Sequence, residues 1–309
     1  MWDVNLLAAV RTIESTMPMV IYRFLVSLAV GLAYMLSVLG GAGIGFAIGA
    51  YGNNPGPIAS TGAFVGFAAC VWLVYKIRHS LLHAVRASHL LILVENRDGR
   101  PLPAGRAQVD YAKQQTTERF PSVTELARLD DALRGCLRSL PAIGCDWSAC
   151  LPVKQPHVVK AVQMALGQVA ASVGDVLLAA VLRRKDANAW RSGLAALESC
   201  AAQWPRFYKN AAWMYGFVYA GWLVSFLVIQ VPVFNIAAAL PMSAGIWPLV
   251  FAIALSWVLK AAFLEPIATA ALLEYYFKHM EGQTPDAACR AKLAEVAAYR
   301  ELQARAAGN

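Results

Sequence analysis

The residues best able to do chemistry in this 309-residue chain are few and scattered. Lys260 and Glu265 stand near the end of a long apolar stretch, with Pro266 directly after them. Ionisable groups inside a bilayer are costly and tend to mark functional pathways. Lys260 comes late in its stretch, so its stem can carry the ammonium out to the membrane surface. Five residues is also a poor spacing for a helical ion pair. Both therefore read as membrane-interface charges, together with Arg23, Lys76 and Lys209. His79 and His83 are four apart, a spacing that lets two imidazoles share one metal, but only His89 follows nearby and no H-E-x-x-H is present. Cys136, Cys145, Cys150 and His157 carry zinc-type donors in spacings that match no familiar finger. Reduced, partly buried thiols are the expectation for them.

A phosphate-binding glycine loop with its Lys, a nucleophile elbow and paired carboxylates within the apolar stretches are all lacking from the sequence. No catalytic residue, cofactor or metal is therefore expected, and the chain does not read as an enzyme. What stands out instead is glycine. Gly41, Gly45 and Gly49 are four apart, and Gly62 and Gly66 follow on the next helix. Glycines at that spacing share one helix face and let two backbones approach, which is a main source of helix association in lipid. Two partners fit this face: the returning arm of the same chain, or a second subunit. Gly40 and Gly43 lie off the stripe.

The elements that hold these residues follow from charge. Only 15% of the residues are charged, against about 25% in an ordinary soluble domain. The net charge of +8 is not a nucleic-acid signature, because Lys and Arg gather beside the apolar stretches rather than in a patch. Asp, Glu, Lys, Arg and His are missing between Arg23 and Lys76, and again between Lys209 and Lys260. A helix needs about 20 apolar residues to cross the bilayer, so each gap of about fifty holds two. Pro- and Gly-bearing turns divide them, Tyr51–Pro57 in the first and Val231–Pro241 in the second. The expected spans are roughly 24–50, 58–77, 211–231 and 244–264. Basic flanks and uncharged tips put both chain ends on the cytoplasmic side. Trp and Tyr near the span edges read as an interfacial belt. The first twenty residues carry Asp3, Arg11 and Glu14 and show no cleavage site, so the first apolar segment reads as a retained span.

The expected fold class is all-α: a polytopic membrane protein with four transmembrane helices in two hairpins plus cytoplasmic amphipathic helices. Residues 1–104 form a first hairpin unit, 105–190 a cytoplasmic helical region, 191–285 a second hairpin unit and 286–309 a soluble Ala-rich helix. Within the middle region, Thr124–Leu140 has helical spacing. Val158–Val181 reads as an amphipathic helix lying on the membrane or on a partner, with Lys160, Gln163, Gln168, Ser172 and Asp175 near one face. An offset of about 184 residues aligns Phe67 with Phe251, Lys76 with Lys260 and Pro101 with Pro285. That register suggests a tandem parallel repeat.

The reading of function is a non-enzymatic scaffold or channel-forming component of a larger envelope assembly, of the secretion or conjugation type. The alternative is a permease for a small or lipid-like substrate. The expected partners are the lipid bilayer and either further copies or other membrane subunits. Ala- and Arg-rich usage points to a bacterial inner membrane.

Overall fold

Every regular element among the described residues is helical. The structure, a computed structural model, describes residues 3–120, 122–144, 157, 160, 167, 169–170, 172–184, 186, 188–239 and 245–308, without the side chains of 78–81, 123 and 141–144. The elements are α1 (Leu6–Ser15), α2 (Met17–Tyr51), α3 (Pro55–Arg97), α4 (Arg106–Arg119), α5 (Val123–Gly144), α6 (Gly174–Arg184), α7 (Ala189–Ala202), α8 (Trp204–Ala238) and α9 (Trp247–Leu259). A π-helical turn (Lys260–Leu264) leads into α10 (Glu265–His279), followed by α11 (Ala287–Glu295) and α12 (Ala297–Ala307).

Local chemistry sets several of the boundaries. Asn5 caps α1 by accepting from the Ala8 amide, and Asn188 caps α7 by accepting from Trp190 and Arg191. Asn53, at φ 53°, takes the left-handed turn between α2 and α3, a conformation Asn tolerates. Gly99 and Gly282, at φ 71° and 83°, end α3 and α10 with the backbone form that glycine adopts without strain.

Four segments are long and apolar enough to cross a membrane: Met17–Tyr51, Pro55–Ile77, Trp204–Ala238 and Trp247–His279. They run past the expected limits. The turn expected at Val231–Pro241 begins later, because α8 continues through Pro232 to Ala238. Proline removes one helical donor and crowds the preceding turn, and apolar helices in lipid tolerate this.

The chain divides into two compact units. One, the charged unit, comprises Met1–Met19, Ala84–Val218 and Glu265–Asn309; the other, the apolar unit, comprises Val20–His83 and Tyr219–Leu264. In the charged unit, α5, α6, α7, α11 and α12 pack on one another, α6 packs on α10, and α1 on α10. The largest fully buried side chains, among them Tyr276, Tyr299, Phe207, Leu90, Leu126 and Leu133, all belong to it. The helix expected to lie on a membrane or a partner is corrected here for its described part. Gly174 through Leu182 are all buried among this chain's own helices. The expected single tail helix is also two, broken at Val296, with Tyr299 and Leu302 buried.

The apolar unit has the opposite distribution. Leu36, Ile44, Val228 and Ile236 each stand about two-thirds exposed. Aromatic contacts tie its parts together: Phe24 to Phe263 (5.4 Å), Phe64 to Trp247 (5.2 Å) and Trp222 to Trp257 (6.2 Å between centroids).

Candidate functional sites

The glycine face closes within the chain. A methyl group on Gly41 would collide with the Gly62 carbonyl, one on Gly45 with the Ile58 carbonyl, and one on Gly66 with the Ser37 carbonyl. A Cβ on Gly49 would come within 2.7 Å of the Pro55 Cα. The partners fall in reverse order along α3, so the two helices run antiparallel with backbone against backbone. The turn at 52–54 is too short to allow another neighbour. Gly40 and Gly43 lie on a different face and meet nothing within 4 Å.

Of the expected interface charges, Arg23 and Glu265 are half-buried, and Lys76 is exposed with its ammonium 5.9 Å from the Trp72 ring. Lys209 pairs with Asp3 at 3.1 Å, and this bond holds the Asp3 carboxyl below its usual range. Lys260 departs from expectation. It is 3% exposed, at the start of the π-turn, with its ammonium 4.0 Å from the Trp257 ring centre and 4.8 Å from that of Tyr219. It does not snorkel outward; the rings receive it inside the apolar unit. Burying the ammonium costs desolvation, and a desolvated cation–π contact returns about 2 kcal/mol, so the two rings offset part of that cost. π-Turns of this kind occur preferentially at functional positions.

The second site was missed from sequence. In the charged unit, Arg86 of α3 and Arg134 of α5 face Asp130 of α5 and Asp175 of α6. Arg86 contacts Asp130 at 3.1 Å and Asp175 at 2.6 Å, while Arg134 reaches Asp130 at 2.9 Å and also bonds Asp175. Asp130 is wholly buried. Gly174 makes room, since a Cβ there would sit 2.7 Å from the Arg134 Cγ. Burial opposes the Arg86 charge, but Asp175 and Asp130 outweigh it and raise its pKa above the ordinary value. Two positive and two negative groups thus neutralise one another across three helices. One signal could have exposed this box. Asp130 and Arg134 are four apart on the stripe that also carries Leu126, Leu133 and Leu137, where charge is retained only when paired.

A further cluster joins the helix stops. Glu95, 2% exposed, accepts from Arg100 (3.3 Å) and Arg119 (3.2 Å), and Arg183 bridges Asp98 (3.0 Å) and Glu281 (2.6 Å). Arg97 and Arg183 each lie 4.6 Å from the Phe277 ring centre.

The metal candidates do not converge. Among the described residues no three His, Cys, Asp or Glu groups are placed to hold an ion. Cys136 is buried in α5, and burial pushes its thiol up to about 12. Cys145 and Cys150 lie outside the described residues, and His157 is exposed. His83 and His89 are buried, and the His79 side chain is outside the described set.

No protein-family model matches the chain, and comparison with curated proteins and with solved structures finds no match.

Proposed function

We propose that this chain is a non-enzymatic component of a bacterial inner-membrane assembly, a scaffold or one part of a channel built from several subunits. In this reading the apolar unit lies in the bilayer as two hairpins with their tips outward. The charged unit stands on the cytoplasmic side, and both termini are cytoplasmic.

One observation carries the reading: three hydroxyls of the apolar unit, those of Thr61, Ser225 and Ser256, are spent on their own helices. Thr61 donates to the Pro57 carbonyl (3.0 Å), Ser225 to Gly221 (2.8 Å) and Ser256 to Ile253 (2.9 Å). A permease for a polar solute needs such groups turned toward a cavity at mid-membrane depth. Here these three satisfy backbone instead. Since Gly41, Gly45 and Gly49 are used within the chain, contact with neighbours falls to other faces, such as the open one at Gly40 and Gly43.

Light scattering or native mass spectrometry of the detergent-solubilised protein tests this. Discrete multiples of the 33.4 kDa chain, or stable co-purifying membrane subunits, are expected. A strictly monomeric particle that transports solute when reconstituted alone contradicts it.

A further inference from the structure

The charged unit keeps most of its large apolar side chains inside, and its exceptions are not scattered. Among the described residues they are Leu7 of α1, Met17 at the start of α2, and Trp213 and Phe217 of α8. A lone exposed leucine is ordinary on a protein surface. Here all four fall on two stretches that touch. The Asp3 carboxylate accepts from the Lys209 ammonium at 3.1 Å, and the Asp3 amide donates to the Asn210 side-chain oxygen at 3.2 Å.

Those contacts set where α1 runs. The chain entering it is held at Lys209 and Asn210 of α8, and ten residues later it passes into α2 at Met17. Its buried residues, Ala9 and Ile13, face inward, and α1 packs on α10. The helices α2, α8 and α10 all belong to apolar segments, so α1 is held among the ends of three of them.

Its outward side suits a lipid surface. Leu7 and Arg11 are four apart on one helix face, and both are exposed. Arg206 is exposed as well, one turn before Lys209 on α8. Neither Arg11 nor Arg206 forms an ion pair among the described residues. Glu14 is the exposed carboxylate of α1, and Asp3 is bound to Lys209. Three cations thus meet two carboxylates, leaving one positive charge in surplus. Apolar side chains beside uncompensated cations are the pattern of a helix lying on anionic headgroups.

We propose that α1 lies in the cytoplasmic headgroup layer, with Leu7 against acyl chains and Arg11 on the phosphate of an anionic phospholipid. The inference rests on the reading above that the apolar unit crosses the bilayer.

A photoreactive benzoylphenylalanine in place of Leu7 tests it in the full chain, with the same probe in place of Leu227 and of Arg300 as lipid and water references. The chain is reconstituted in nanodiscs of phosphatidylglycerol and phosphatidylcholine in equal amounts and illuminated, and its adducts are read by peptide mass spectrometry. Phospholipid adducts are expected at 7 and 227 and none at 300. The two lipids react alike at 227, whereas at 7 phosphatidylglycerol leads by about three- to fivefold, the scale of one basic residue at an anionic surface. Arg11→Gln changes an exposed side chain and brings that ratio close to the one at 227. Adducts at 227 without any at 7 overturn the inference and leave the bilayer reading standing, while none at 227 removes both. An even lipid ratio at 7, or a ratio that Arg11→Gln leaves unchanged, overturns the contact with phosphate.

Discussion

Leu133 in the charged unit and Leu227 in the apolar unit are the same side chain in opposite settings: the first is fully buried, the second 49% exposed. The difference is general. Among the described residues, the exposed large apolar side chains all lie in the apolar unit except Leu7, Met17, Trp213 and Phe217. The two units also treat charge differently. One closes two buried aspartates and two half-buried arginines on each other; the other buries a lysine against two aromatic rings. A water-facing body gains stability by hiding leucines, and its buried charges must then be paired. A lipid-facing body gains nothing by hiding them, so close backbone contact has to supply its cohesion.

Breaking the charge box has the largest expected effect. Asp130→Ala leaves two arginines facing a single carboxylate, and losing one member of a buried set costs about 3–5 kcal/mol. Thermal unfolding of the solubilised chain, followed with a probe in the charged unit, reads this as a large drop. If Asp130→Ala melts like the parent, the box is not what holds α3, α5 and α6 together.

The apolar unit breaks differently. Gly41→Ala and Gly62→Ala each push a methyl group into a backbone carbonyl and force the helices apart, at about 1–3 kcal/mol. Gly43→Ala meets open space and is expected to be neutral within about 0.5 kcal/mol. Equal behaviour of Gly41→Ala and Gly43→Ala would mean that α2 and α3 do not meet along this face.

Alkaline pH separates the units further. Burial raises the Cys136 thiol from about 9.0 in the unfolded chain to about 12 in the folded one. The folded form therefore binds more protons in that window, so stability is full below pH 9 and falls as pH rises toward 12. Burial raises the Cys200 thiol and the Tyr299 phenol in the same direction. Alkaline titration followed by circular dichroism should show the charged unit loosening first, and Cys136→Ala should lessen the loss.

The smallest effect is expected at Lys260. Lys260→Met keeps the stem and removes a buried charge whose desolvation the rings offset, so stability should stay within about 1 kcal/mol of parent or rise. A marked loss of stability would show that the ammonium holds the π-turn in place.

The parts of this fold legible in the sequence are those set by solvent. The two charge-free stretches mark the four apolar segments because no soluble arrangement tolerates them. Helix ends were less legible, since a membrane boundary is not a helix boundary. α3 runs on from Pro55 to Arg97 through Lys76, and α8 runs through Pro232. The glycine face was visible as a face, but spacing alone does not identify the opposing helix; the brevity of the 52–54 turn does. The burial of Lys260 was not legible because position along a helix says nothing of the rings beside it, and Tyr219 is 41 residues away in sequence. The charge box escaped because its members come from α3, α5 and α6, and only the Asp130–Arg134 pair is local.

The central claim is that the apolar unit sits in hydrocarbon and the charged unit in water. Nitroxides placed by Leu227→Cys in α8 and by Arg300→Cys in α12 of the bilayer-reconstituted chain test it most directly, through collision with oxygen and with a water-soluble nickel chelate. The account predicts high oxygen and low nickel accessibility at 227 and the reverse at 300. Free access of the nickel chelate to position 227 would contradict it.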